Sequence, residues 1–192
     1  MDVTPYHHGN LRAALLEEAR ALVAEEGPGS FTLRELARRL GVSHAAPAHH
    51  FPDKRALLTA LAAEGFERLA AELERARGDG LVELGLVYVR VAAEHPADFA
   101  VMFRTDLLDP DDAALRSAGE RARAALREGV RRAHGSEDAA LEVAAWSVVH
   151  GLAALRASGA LAGEPAASGE AGARAVLERF VRGAGPEGVA AS

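Results

Sequence analysis

Residues 31–51 read FTLRELARRLGVSHAAPAHHF, and the spacing within this stretch decides the fold. Thr32 stands three residues before Glu35, the pattern of a capping box. In that box the Thr hydroxyl accepts from one free N–H and the Glu carboxylate reaches back to another. Leu33, Leu36, Ala37 and Leu40 then fall on one helical face. Gly41 interrupts the pattern four residues after Ala37, and Val42 follows at once. Two short helices that cross tightly need a small residue where they touch, a Gly able to take φ > 0 in the turn, and an apolar plug after it. In a helix-turn-helix of this kind the second helix lies in the major groove of DNA and the first crosses the backbone. An ordinary corner between two helices of a bundle satisfies the same spacing.

Upstream, Leu11, Leu15, Ala19, Leu22 and Val23 form one stripe of a helix over about 10–26. Asn10 is its expected N-cap, and Gly27-Pro28-Gly29 ends it. Downstream, Val42-Ser43 opens a short recognition segment and Phe51-Pro52-Asp53 breaks it. Asp53 then caps a long helix over about 54–77. Further helices are predicted over about 81–93, 96–103, 112–134, 137–159 and 170–183. They are divided by His95-Pro96, Asp109-Pro110, Gly135-Ser136 and the 163–169 loop. The tail 183–192 is expected to fray. The expected fold is all-α: a three-helix N-terminal helix-turn-helix domain over 1–56, a connecting helix and boundary over 57–80, and a larger helical domain over 81–192.

Composition agrees with helix, because the apolar residues are mostly Ala and Leu, with few β-branched or aromatic ones. The chain has 192 residues and no cysteine, which excludes disulfides, thiolate metal sites and a Cys nucleophile. The first twelve residues lack the apolar core of a signal peptide, and no apolar run approaches the roughly 20 residues of a membrane span. A cytoplasmic protein without membrane contact is therefore expected. Net charge is −6, but residues 1–56 carry seven basic and seven acidic side chains with five of the eight histidines. The acidity belongs to the remainder of the chain, so a local basic face in the first quarter is permitted.

Residues 6–58 resemble the DNA-binding domain of the TetR family of bacterial transcriptional regulators along their whole length. The family pattern is matched at Thr32, Leu36, Ala37, Gly41, Val42, Ser43, His50, Phe51, Lys54 and Leu57. Trp146-Ser-Val-Val-His150-Gly151 is similar to a W-x-x-x-H-G signature of one subgroup of the family's C-terminal domains, and Tyr6-His-His-Gly resembles that subgroup's usual opening. The resemblance implies a homodimer that binds a palindromic operator in double-stranded DNA, by default as a repressor, and is released by a small-molecule effector. It also implies that the helices at about 137–159 and 170–183 form a four-helix bundle with the partner's copies. Their many alanines would permit close approach, although they suit packing within one chain equally well. The chain departs from the family at Ala48, where relatives carry a phosphate-binding Tyr, and at His49, where Arg is common.

Carried onto these positions, Thr32 caps the second helix beside phosphate, and Ser43 caps the recognition helix with His44 near its N-terminus. Ala45 and Ala46 allow close approach to the groove and contact with a thymine methyl. His49 stands next to the groove, and His50 is either a phosphate contact or a structural group beside Phe51. Lys54, the only lysine, matches a family phosphate contact, the alternative being a solvated surface charge. In the C-terminal part, Phe99, Met102 and Phe103 on one helix and Trp146 and His150 on another would line an effector pocket if those faces converge. Plain core packing explains them equally well. No catalytic, metal or cofactor motif is present: the histidine pairs are adjacent and diverge on a helix, and no H-E-x-x-H, P-loop or G-x-S-x-G occurs. A protein of this fold that acts through protein contacts in place of DNA is the main rival reading, because of Ala48.

Overall fold

A computed structural model describes residues 11–183. Asn10 as a cap, the Tyr6–Gly9 opening and the tail beyond 183 lie outside the described residues. Eight α-helices are present among the described residues, and no strand: α1 (Leu11–Glu26), α2 (Leu33–Arg39), α3 (Lys54–Arg75), α4 (Leu81–Glu94), α5 (Pro96–Met102), α6 (Ala113–His134), α7 (Ala139–Ala157) and α8 (Gly169–Gly183). A 3₁₀ helix at Ala46–His49 sits between α2 and α3. The all-helical expectation holds, and every predicted helix begins and ends within about two residues of its observed bounds except the recognition segment. Proline at the first position of α5 costs nothing there, because that N–H has no helical acceptor. Asp53 caps α3 through Ala56 N at 2.8 Å, and Asp138 caps α7 through Ala140 N and Leu141 N at 3.0 Å each.

The chain forms two compact units. Among the described residues the first comprises 11–65 with 97–116, and the second 66–96 with 117–183, so α3 contributes to both. The first unit is built on Leu15, Leu16, Leu22, Phe31, Leu36, Phe51, Leu57, Leu58 and Leu61, joined from later in the chain by Val101 and Leu108. Polar ties add to this packing. The Arg20 guanidinium donates to Asp98 at 2.8 Å and to Glu64 at 2.6 Å, with Asp98 only 2% exposed. A carboxylate so buried is tolerable only with such a partner. The buried Thr59 hydroxyl accepts from Asp109 N at 2.9 Å, and Arg55 donates to the Leu108 carbonyl.

In the second unit α4 is enclosed, with every residue from Leu84 to Val89 buried. It packs against α7 and α8. Gly85 permits that approach: a Cβ there would come within 2.8 Å of a Leu177 methyl and 3.2 Å of a Val149 methyl. Arg174 of α8 pairs with Glu83 of α4, and Arg121 of α6 holds Glu74 at 2.8 Å.

Candidate nucleic-acid interface

The interface is built from α2 upward. Thr32 is extended at φ −124° and ψ 160°, and its hydroxyl accepts from Glu35 N at 3.2 Å. The other half of the expected capping box is replaced. The Glu35 carboxylate binds Arg38, at 2.6 and 3.1 Å, and Arg39, at 3.3 Å, since two cations on its own helix face outcompete a backbone N–H.

Beyond Arg39 the chain turns sharply. Val42 N donates to the Ala37 carbonyl at 3.0 Å, and Gly41 N to the Arg38 carbonyl at 3.2 Å. These are the paired bonds of a Schellman turn, and its left-handed position is Gly41 at φ +66°. Space is not what requires glycine here, because a Cβ would meet nothing within 4 Å; the backbone conformation alone does. Ala37 is fully buried at the crossing, as the spacing requires.

The recognition segment differs from the expected helix, and Ser43 is not its cap. The 3₁₀ helix Ala46–His49 has Ala45 in the cap position with no side-chain bond, and Ser43 contributes its carbonyl, which accepts from Ala46 N at 3.0 Å. Pro47 supplies the reason. An α-helical turn would need the residue-47 N–H to reach the Ser43 carbonyl, and proline has none. It also biases Ala46 away from helical backbone. The chain closes tighter i→i+3 bonds instead, at Ala48 N to Ala45 O and His50 N to Pro47 O. The Pro47 ring is buried, which anchors the segment, while Ser43, His44, Ala45, Ala48, His49 and His50 are exposed and Ala46 is half-buried. Seven of the eight residues from 43 to 50 thus remain at least partly open to a ligand.

Lys54 is neither a free surface charge nor an isolated one. Its ammonium donates to the carbonyls of Gly29 at 2.8 Å and Phe31 at 2.7 Å, and lies 4.3 Å over the Phe31 ring. Partial burial pulls its pKa below the ordinary lysine value. The lysine therefore ties the start of α3 to the loop that leads into Thr32, with one N–H direction left over. Nothing in the local sequence announces this tie, which spans more than twenty residues. Sequence reasoning also passed over Arg34. It is exposed on the first turn of α2 and pairs with no described carboxylate, whereas Arg38 and Arg39 are matched by Glu35 and Glu25. The absence of a Glu at the helical spacings that serve its two neighbours was the available signal.

The residues expected at an effector pocket fall into the two units separately. In the first, Met102 is 5% exposed and packs against the backbone of Gly65, while Phe99 and Phe103 meet edge to face at 5.5 Å. In the second, His150 Nδ1 lies 3.0 Å from the hydroxyl of Tyr88, with Trp146 edge-on at 6.5 Å. Tyr88, which the sequence reading did not select, is buried, and burial raises its pKa so that it stays a phenol. Burial also lowers the pKa of His150, which keeps the ring neutral. The phenol oxygen and Nδ1 therefore share one hydrogen bond between two neutral groups, its direction set by the imidazole tautomer. Among the described residues no group of three or more His, Asp or Glu side chains could hold a metal ion, and no single helix is long and apolar enough to cross a membrane.

Comparison with known proteins agrees with this architecture. The family described as "Bacterial regulatory proteins, tetR family" matches residues 15–61, and "Tetracyclin repressor-like, C-terminal domain" matches residues 81–180. An HTH-type transcriptional repressor of Mycobacterium tuberculosis, Rv1474c, is 41% identical over 80 residues, 42% of this chain. The chain spans about two fifths of the length of the curated relatives it matches. A protein of unknown function from Rhodococcus sp. RHA1 superposes with a TM-score of 0.77 at 34% identity, covering 94% of this chain and 98% of that one. The TetR family regulator PfmR of Thermus thermophilus superposes at 0.67 with 29% identity, covering 88% and 98%. With one family match lying over the turn at Gly41 and the other spanning more than half of its length, the chain belongs to the TetR family of bacterial regulatory proteins.

Proposed function

We propose that the protein is a ligand-responsive transcriptional repressor that binds a palindromic operator as a homodimer and is released by a small-molecule effector. Residues 1–56 would read DNA, 57–80 connect, and 81–192 bind effector and partner, in the cytoplasm. The observation that carries the reading is the open segment 43–50, held by the Schellman turn and the buried Pro47 ring beside a capped α2. Ser43, His44, Ala45 and Ala46 would enter the major groove. Thr32, His49, His50 and Lys54 would meet phosphate, with Arg34 as a further cation. The dimer reading is supported by Val143 and Leu155, which are 61% and 48% exposed on α7. They continue through Ser147 and Gly151 as one i, i+4 ridge, the kind that packs into the groove of a facing helix. For release, differential affinity is required: the effector must prefer the conformation that fits DNA poorly. Phe99, Met102 and Phe103, and separately Trp146 and His150, are the side chains we assign to effector binding. In two chains of the same fold, at 22% and 20% identity, SmeT is in complex with triclosan and a Saccharomonospora viridis regulator with choline. An electrophoretic shift comparing the native upstream region with random duplex tests the reading, which fails if the two are bound alike.

A further inference from the structure

α6 carries six arginines. Arg116, Arg121, Arg127, Arg131 and Arg132 each hold a carboxylate within 3.4 Å. Arg123 is exposed and pairs with no described carboxylate, in a chain that has 28 acidic side chains to 22 basic ones. Its guanidinium lies 4.7 Å over the ring of Trp146. Glu120, three residues before Arg123 on α6, and Glu142 on α7 both bind Arg127, at 3.3 Å each. The indole beneath Arg123 is itself fixed. Its N–H hydrogen-bonds the Tyr88 oxygen, which is itself hydrogen-bonded to His150 Nδ1. The indole also packs against the cluster of Leu81, Leu126, Val130 and Ala145. The cluster therefore combines an anchored aromatic surface, two neutral polar rings and one guanidinium that pairs with no described carboxylate.

We infer that Arg123, seated on Trp146, is the anion-binding group of an effector subsite, and that its ligand is a carboxylate on an apolar body. The inference rests on the effector-responsive reading above and adds the chemical class. A guanidinium presents a planar fork that matches one carboxylate with two parallel bonds. A single fork balances one negative charge, which suits a carboxylate better than a phosphate dianion. The indole offers the hydrocarbon of the ligand an apolar, immobile face beside that charge. The Tyr88–His150 pair acts as a positioning element that holds the indole, and does not itself need to touch the ligand.

The test uses the full-length protein, with octanoate and benzoate as probes and octanol and benzamide as their uncharged counterparts. Binding is followed by calorimetry and by the fluorescence of Trp146, the only tryptophan. Saturable binding of at least one carboxylate is expected, with its uncharged counterpart bound about tenfold or more weaker. Arg123→Met should lose the carboxylate by a similar factor, Arg123→Lys should retain part of it, and both should keep wild-type circular dichroism and operator binding. The inference is overturned if neither carboxylate saturates, if the uncharged counterparts bind equally well, if inorganic phosphate binds more tightly than either carboxylate, or if Arg123→Met binds as wild type does. Operator binding without ligand separates the two claims. Its persistence without carboxylate binding removes this inference and leaves the regulator, whereas its absence removes the regulator whatever Arg123 binds.

Discussion

Among single residues Lys54 has the most to explain, because it serves two purposes. Two of its three N–H groups hold the carbonyls that precede α2, so the side chain shapes the loop whose end is Thr32. Lys54→Ala should weaken binding to all duplexes and lower the salt slope by about one unit, since one released counterion is lost. Loss of the carbonyl ties should also lower the unfolding midpoint, which a surface charge would not do; thermal melting beside salt-titrated anisotropy separates the two effects. Ala48 is exposed and offers no hydrogen-bonding group. Ala48→Tyr should therefore tighten operator binding by adding a phosphate contact, and an unchanged affinity would mean that the 3₁₀ turn points position 48 away from the backbone. His150 gives a third expectation. Burial holds its imidazole below the ordinary value of 6.5, so between that lowered value and 6.5 the unfolded chain takes up a proton that the folded chain refuses. The stability present above pH 6.5 is lost as pH falls through that window. His150→Gln, whose amide can donate to or accept from the Tyr88 hydroxyl, should show a smaller loss of melting temperature from pH 7.5 to about 5.5.

Among the elements, the helices were legible in the sequence and the segment proposed to read DNA was only half so. Apolar periodicity, caps and Gly/Pro breaks set the bounds of α1 through α8, because those signals are local. The turn at Gly41 was equally legible, since a residue needed at φ +66° leaves few alternatives to glycine. Gly41→Ala should destabilise the protein by about 1 kcal/mol, read by urea unfolding, with the loss coming from backbone conformation and not from any clash. The family pattern predicts a helix capped by Ser43 in the recognition segment, whereas Pro47 withholds the donor that such a helix needs, and the local chemistry prevails. What no periodicity could supply is pairing across distance. Tyr88 with His150, Arg20 with Asp98 and Lys54 with the 29–31 loop join residues 23 to 78 apart. The placement of α5 in the first unit follows from such contacts as well, and a helical stripe does not say which neighbour it covers.

In the whole molecule two copies are proposed to act together, which doubles the phosphates and bases that one recognition segment can reach. Half-sites about 34–36 Å apart would be spanned by a twofold dimer. If the α7 ridge is that dimer's seam, Val143→Asp with Leu155→Asp should yield a folded monomer by sedimentation and lose operator binding together with it. A dimer that persists would place the seam elsewhere. Whether the protein reads a specific DNA sequence is decided by equilibrium anisotropy with its own upstream region against random duplex of equal length at moderate salt. A preference of about a thousandfold or more for the native sequence is expected, with affinity falling steeply as salt is raised. Equal affinity for the two duplexes, in a protein shown to be folded and dimeric, would contradict it.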